Sequence, residues 1–399
     1  MRFRYSAEEN GKPVKKAAVY TQDEHRINLS DVDSQAIYII ERLQANGYES
    51  YIVGGAVRDL ILGRRPKDFD IVTAAAPGKI KKLFRNSRII GRRFRLVHVF
   101  FGSKIFEVST FRSNRDGPTS NTFGTIEEDV LRRDFSLNAL FYDPVKQLVV
   151  DYVGGMKDIK RRVIRPIIAL EDIFTDDPVR MIRAVKYAAV SGFRLPFSLR
   201  LRIRKHRDLL ARISPSRLTE EIFKIIHSPR ALEIVGALNA MKIYSYLQPG
   251  ASELFKSVHG FKAQYFKTMG RLGADFKNLP GEALSALIRD YFEGVLKKNQ
   301  DDVQDKSAAE RYKVIFNQVR QFVLPMNPPR IELYSALRLL FAEKGIVIKK
   351  PHFSERNKKH HAETETPGVE ENSLEPQKKP ANRKRRPRCR RYPQTQPVQ

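Results

Sequence analysis

Residues 29–47, LSDVDSQAIYIIERLQANG, place Val32, Ala36, Ile37, Ile40 and Leu43 at helical spacing, with Ser30 or Asp31 as the cap and Gly47 as the stop. YESYIV (48–53) reads as a strand, Gly54-Gly55 as a tight turn, and AVRDLILG (56–63) as a helix ending at Gly63. KDFDIVT (67–73) alternates like a strand and precedes a helix around 77–86. Two strand-like runs, 92–101 and 104–111, meet at Gly102-Ser103, a gap suited to a hairpin turn. Residues 113–125 hold Gly, Pro, Asn and Ser and read as a loop; a helix follows over about 126–140, and QLVVDYV closes the region at Gly154-Gly155. After Pro166 strand signals fade, and helical periodicity continues to about residue 344.

The pattern therefore predicts an α+β chain: a small mixed-sheet unit over 30–165 followed by helices alone. Residues 1–29 are polar and read as an irregular extension. The end, NRKRRPRCRRYPQTQPVQ, has nothing with which to form a core, so 346–399 reads as a disordered basic tail.

Composition narrows the class of protein. No apolar run approaches a membrane span, and the N-terminus has no apolar secretory core, so the expectation is a soluble cytoplasmic protein without membrane contact. The single cysteine, Cys389, excludes an internal disulfide and a cysteine-based zinc site. Of the formal net charge of +28, +8 falls from Gly345 onward (14 Lys+Arg against 6 Asp+Glu), which leaves +20 on residues 1–344. So basic a folded region points to a polyanionic partner, above all nucleic acid.

Four motifs carry chemistry. In YIVGGAVRDLILG a strand runs through Gly54-Gly55 into a helix, which offers backbone N–H groups to an anion; Arg58 adds a fork for phosphate. Neither a P-loop nor a dinucleotide fingerprint is present. In KDFDIVT, Asp68 and Asp70 share one strand face while Phe69 and Ile71 take the other. Two like charges so placed repel, and the partner that suits them is Mg²⁺, which takes few protein ligands and completes its shell with substrate phosphates. Two such ions can bridge the attacking and leaving oxygens of a phosphoryl displacement. A solvated edge strand would show the same two aspartates. A third carboxylate comes from Glu107 in FEVSTF, suited to metal ligation, or from Asp134 in LRRDFSLNAL, and the sequence leaves both open. Finally, Asp177 and Arg180 in FTDDPVRMIRAVKYAAVSGF stand three apart and share a helix face. A carboxylate acceptor beside guanidinium donors matches the edges of adenine and cytosine and leaves unpaired groups against guanine and uracil.

Taken in order, GGAVRDLILGRRPKDFDIVT, RRDFSLNALFYD, DYVGGMKDI and DDPVRMIRAVKYA resemble the class II nucleotidyltransferases, the family of bacterial poly(A) polymerases and tRNA CCA-adding enzymes. The resemblance covers about residues 48–230 and implies a catalytic head over 30–165, a helical neck over 166–228 with the base-reading helix, a helical RNA-binding body over 229–345, and the tail. It further implies template-independent nucleotide addition to RNA 3′ ends with Mg²⁺. By motif, Gly54, Gly55 and Arg58 would handle the triphosphate of ATP, Asp68 and Asp70 the metals, and Asp134 the active centre. Arg133 and Asn138 would lie near the nucleotide, and Asp177 and Arg180 would read the base. The chain has Asp176-Asp177 where the family usually has Glu-Asp. The stretch 89–112, with Arg92, Arg93 and Arg95, resembles the poly(A) polymerase branch, as does the basic tail, so polyadenylation is expected. CCA addition and a catalytically silent RNA-binding protein are the alternatives.

Overall fold

A computed structural model describes residues 2–7, 13–91, 95–113, 122–271, 281–298 and 308–348. Arg92, Arg93 and nearly all of the expected tail lie outside them. Residues 346–348, assigned to that tail from sequence, belong to the helical part: Ile346 packs on the core and Ile348 is buried.

The core of the N-terminal half is a mixed sheet. In chain order its strands are β1 (Arg2–Ala7), β2 (Pro13–Tyr20), β3 (Ser50–Val53), β4 (Asp70–Thr73), β5 (Ser87–Ile90), β6 (Leu96–Phe101), β7 (Lys104–Thr110), β8 (Leu140–Asp143) and β9 (Leu148–Asp151). They are ordered β1-β2-β9-β8-β3-β4-β7-β6-β5, antiparallel throughout except for the parallel pair β4–β7. Around the sheet lie α1 (Gln22–His25), α2 (Ser34–Ala45), α3 (Gly55–Ile61), α4 (Pro77–Leu83), α5 (Ile126–Leu131) and α6 (Gly155–Arg161).

One face of the sheet joins α2 and α4 in the large core through Ile52, Ile71, Val97, Val99 and Val108. The other face is covered by α5, whose Ile126 and Val130 pack on Val53, Val72 and Phe141. Alternation along β6 and β7 thus sends every second side chain away from the large core.

The expected elements differ in places, each for a physical reason. The segment expected to be irregular, 1–29, contributes β1 and β2, and β2 pairs with β9. The cap of α2 is Asp33, which accepts from the Gln35 N–H at 2.9 Å, rather than Ser30 or Asp31. Strand β4 begins at Asp70, so Asp68 precedes it, yet Phe69 is buried and both aspartates are exposed as alternation requires. The helix expected over 126–140 stops at Leu131; Arg132 and Arg133 turn back onto Asp129, a short 3₁₀ turn covers Ser136–Asn138, and β8 follows.

Past Pro166 the described residues are helical: α7 (Ile173–Asp176), α8 (Val179–Ser191), α9 (Phe197–His206), α10 (Pro215–Ile226), α11 (Ala231–Ala240), α12 (Tyr244–Leu247), α13 (Pro249–Ser257), α14 (Phe261–Arg271), α15 (Glu282–Lys298), α16 (Ala308–Phe322) and α17 (Arg330–Glu343). Among the described residues no helix is long and apolar enough to cross a membrane.

Candidate active site

The C-terminal end of β3 and the start of β4 sit side by side, with Val53 opposite Asp70. Gly54 follows at φ +73°, where a side chain would be strained and its Cβ would lie 3.8 Å from an Asp70 carboxylate oxygen. Glycine therefore lets the chain take this positive-φ turn beside Asp70 before α3 begins.

The cleft at this end has a volume of about 520 Å³ and is lined by Gly54, Gly55, Arg58, Asp70, Asp134, Asn138 and Asp177, by Ser109 and Arg112 at the end of β7, by Asp129, Arg132 and Arg133, and by Arg180, Arg183 and Tyr187 of α8. That volume is in the range of small-molecule sites.

Arg58 is buried at the base of α3, where its Nη1 donates to Asn138 Oδ1 at 3.0 Å and its other nitrogens to Asp59. Its guanidinium also lies 5.7 Å from the ring centre of Tyr187 on α8. Arg133 donates two bonds to Asp129, at 3.0 and 2.8 Å, and one to the Asn138 carbonyl at 3.2 Å. Asn138, on its 3₁₀ turn, is therefore where both arginines meet.

Asp70 is exposed to solvent in one direction while the cleft walls crowd it in the others. That partial burial, then the carboxylates of Glu107 and Asp68, push it up to about 6, against Arg133 and Lys224. Glu107 precedes Val108, the partner of Ile71, so it stands level with Asp70 on the next strand; His98 Nε2 is 3.5 Å from its carboxylate. Asp134 is differently placed. Its carboxylate accepts the Phe135 N–H at 2.8 Å and lies 3.9 Å from Arg183, and burial raises its pKa in spite of that cation.

Among the described residues no three His, Cys, Asp or Glu converge into a metal cluster. The exposed, mutually repelling carboxylates of Asp68 and Asp70 fit Mg²⁺ nonetheless, because that ion draws most of its shell from water and phosphate.

At the end of the cleft expected to read the base, α8 starts at Val179, so Asp177 precedes the helix rather than sharing its face with Arg180. Asp177 accepts the Val179 N–H at 3.1 Å, and Arg217 of α10 holds both its oxygens at 2.9 and 2.8 Å. Arg180 is buried, donates to the Ile173 carbonyl at 3.2 Å, and has Asp176 at 3.7 Å.

Sequence reasoning missed Arg217, Arg183, Tyr187 and Glu221. Glu221 is 2% exposed and accepts from Arg183 Nε at 3.0 Å and Lys186 Nζ at 2.6 Å. One signal was available: Glu221 falls between Leu218, Ile222 and Ile225 on the apolar side of α10, where a lone carboxylate requires buried cations.

Residues 50–165 match the family described as Poly A polymerase head domain, and 192–255 match the family described as Probable RNA and SrmB-binding site of polymerase A. The chain is 42% identical over 253 residues to Poly(A) polymerase I of Escherichia coli O6:H1, covering 59% of this chain and 54% of that one. It is 37% identical over 237 residues to the CCA-adding enzyme of Geobacillus kaustophilus, covering 57% and 58%. The chain thus spans little more than half the length of these curated relatives. Among solved structures, the Bacillus stearothermophilus CCA-adding enzyme in complex with CTP superposes with a TM-score of 0.52 at 27% identity, over 77% of this chain and 82% of that one.

Proposed function

The chain belongs to the class II nucleotidyltransferase family of bacterial poly(A) polymerases and CCA-adding enzymes, and on that premise we propose that it adds AMP from ATP to RNA 3′ ends without a template. The observation that carries this reading is the single cleft that gathers Gly54-Gly55, Arg58, Asp70, Arg133, Asn138, Asp177 and Arg180.

In this reading Arg58 and Arg133, both fixed on Asn138, present positive charge to the triphosphate beside the Gly54-Gly55 turn. Asp177, held by Arg217, accepts the amino proton of the base, and Arg180 donates to the adjacent ring nitrogen. Adenine and cytosine satisfy that pair, whereas guanine and uracil leave it unpaired. Asp68 and Asp70 hold Mg²⁺, which when bound stabilises charge on the reacting phosphate and on the attacking hydroxyl. Asp134 faces Arg183 and keeps the α8 cations aligned, and Glu107 stands as the third carboxylate nearest the pair. The basic surface and the tail supply RNA affinity.

ATP is favoured over CTP because Poly(A) polymerase I of Escherichia coli O6:H1 is 42% identical to the chain and the CCA-adding enzyme of Geobacillus kaustophilus 37%. A second reading, CCA addition, is favoured by the superposition on the CTP complex. Asp70→Asn tests the catalytic assignment. It should lower the rate of AMP incorporation at least about a hundredfold, with RNA affinity nearly unchanged in a filter-binding assay; full activity with magnesium as the only metal would contradict it.

A further inference from the structure

An in-line displacement sets the attacking oxygen opposite the leaving one. The groups that would receive pyrophosphate (the Gly54-Gly55 turn, Arg58, and the Arg133–Asn138 pair) come from elements flanking β3 and β8, on one side of Asp70. The acceptor hydroxyl must then arrive from the other side, where β7, β6 and β5 follow in order.

The register on that side builds a continuous row. Glu107 stands level with Asp70, His98 pairs with Glu107, and Arg88 pairs with His98. Four strands at about 4.8 Å give a row of about 14 Å, the length of about four stacked nucleotides.

The row lies on the sheet face opposite the large core. Val97, Val99, Phe106 and Val108 are buried against α4 on the core side, whereas Ile105 is 54% exposed, the Glu107 side chain 55%, and Arg88 is open to solvent. Phe100 lies half-buried beside His98, ring centres 6.2 Å apart, and opposite Ile105. Among the described residues α5 covers the β3, β4, β8 and β9 part of this face and leaves the β5–β7 part accessible.

Rings at one level and a guanidinium at the far end are what a single strand of nucleic acid uses, stacking for the bases and charge for the phosphates. We propose that the open face of β5–β7 is the track for the 3′-terminal nucleotides of the acceptor RNA, running from Arg88 over His98 and Phe100 to place the 3′-hydroxyl at Glu107 and Asp70. This rests on the adenylyl-transfer reading above. It adds an RNA surface on the sheet, outside the helical segment matched as an RNA-binding site.

The test uses the full chain and an RNA oligonucleotide with 4-thiouridine as its penultimate nucleotide. AMP incorporation into that RNA is measured first, and irradiation with mapping of the crosslinked peptide follows. Crosslinks within 88–107 are expected; crosslinks confined to the helices after residue 166 overturn the track. Failure of the wild-type chain to incorporate AMP overturns the adenylyl-transfer reading and the track with it, so the two failures are distinguishable. Independently, Phe100→Ala should raise KM for RNA fivefold or more while KM for ATP stays within twofold, and Phe100→Tyr should restore the RNA value. Equal changes in both constants, or no change in KM for RNA, contradict the track.

Discussion

At the scale of single residues, the site depends on charges held by groups far away in sequence. Glu221 is the clearest case. Burial alone would raise its pKa, yet Lys186 and Arg183, with Lys224 nearby, bring it net below the usual carboxylate range. Lys186 is pushed down by its own burial even against Glu221, while Arg183, which reaches toward Asp134, is held up. Glu221 is the member whose direction follows from all its neighbours being cationic. A folded-state pKa below the unfolded value of about 4.3 means that its contribution to stability is present above that pH and is lost as pH falls through the folded value. Glu221→Gln should therefore cost about 3 kcal/mol at pH 7 by leaving buried cations unpaired. The difference from wild type should shrink below about pH 4. Urea unfolding at both pH values measures this; a gap that stays constant with pH would show that Glu221 is not held ionised by the pair. The common side of Asp68 and Asp70 was legible because alternation is local, whereas the helix face expected to be shared by Asp177 and Arg180 is absent, since α8 begins after Asp177. Arg217 and Glu221 were not legible, because nothing in the local pattern says which helix they meet.

At the scale of elements, alternation identified β6 and β7 and the turn at Gly102, since one face of each strand is buried and the other is not. It failed where pairing is decided at a distance. Strand β2 finds its partner in β9, more than a hundred residues away, and the polar sequence of 1–29 gave no local sign of it. The helix expected over 126–140 gives way after Leu131 to the 3₁₀ turn at Ser136–Asn138 and to β8, whose partners β3 and β9 lie elsewhere in the chain.

The DYVGGMKDI segment, recognised only as a family motif, has a structural task in holding the turn that carries Asn138. Asp158 accepts from Ser136 Oγ at 2.6 Å and Arg165 Nε at 2.7 Å, and Arg165 also bonds the Val153 carbonyl. Asp151 receives four backbone N–H groups, those of residues 153–156, at the start of α6. Gly155 allows that approach, because a Cβ there would fall 2.3 Å from the Ser136 carbonyl. Gly155→Ala should destabilise the protein by about 1–3 kcal/mol and weaken ATP binding through the displaced Asn138. Chemical unfolding and ATP titration together check it, and wild-type stability would mean the two elements can separate freely.

At the scale of the whole molecule, charge is divided between the folded region and the tail. With +20 on residues 1–344, the folded region should bind RNA electrostatically by itself, and the Arg383-Lys384-Arg385-Arg386 run should add contacts. Replacing those four by alanine should reduce the slope of log K against log salt by up to about 3 while leaving substantial binding; an unchanged slope would remove the tail from the RNA interface. The architecture was legible as a mixed-sheet unit followed by helices, because periodicity changes from 2 to 3.6 after Pro166. The face of the sheet left open beside the acidic pair was not, since it depends on which strands α5 covers.

Whether the chain is an adenylyl transferase is read by offering it an unstructured RNA and one nucleotide at a time with magnesium, and resolving the products by length. Repeated AMP addition from ATP is expected, and little or none from GTP or UTP. No incorporation from any nucleotide, or efficient CTP addition to tRNA lacking its CCA end with arrest after the CCA sequence, would contradict it.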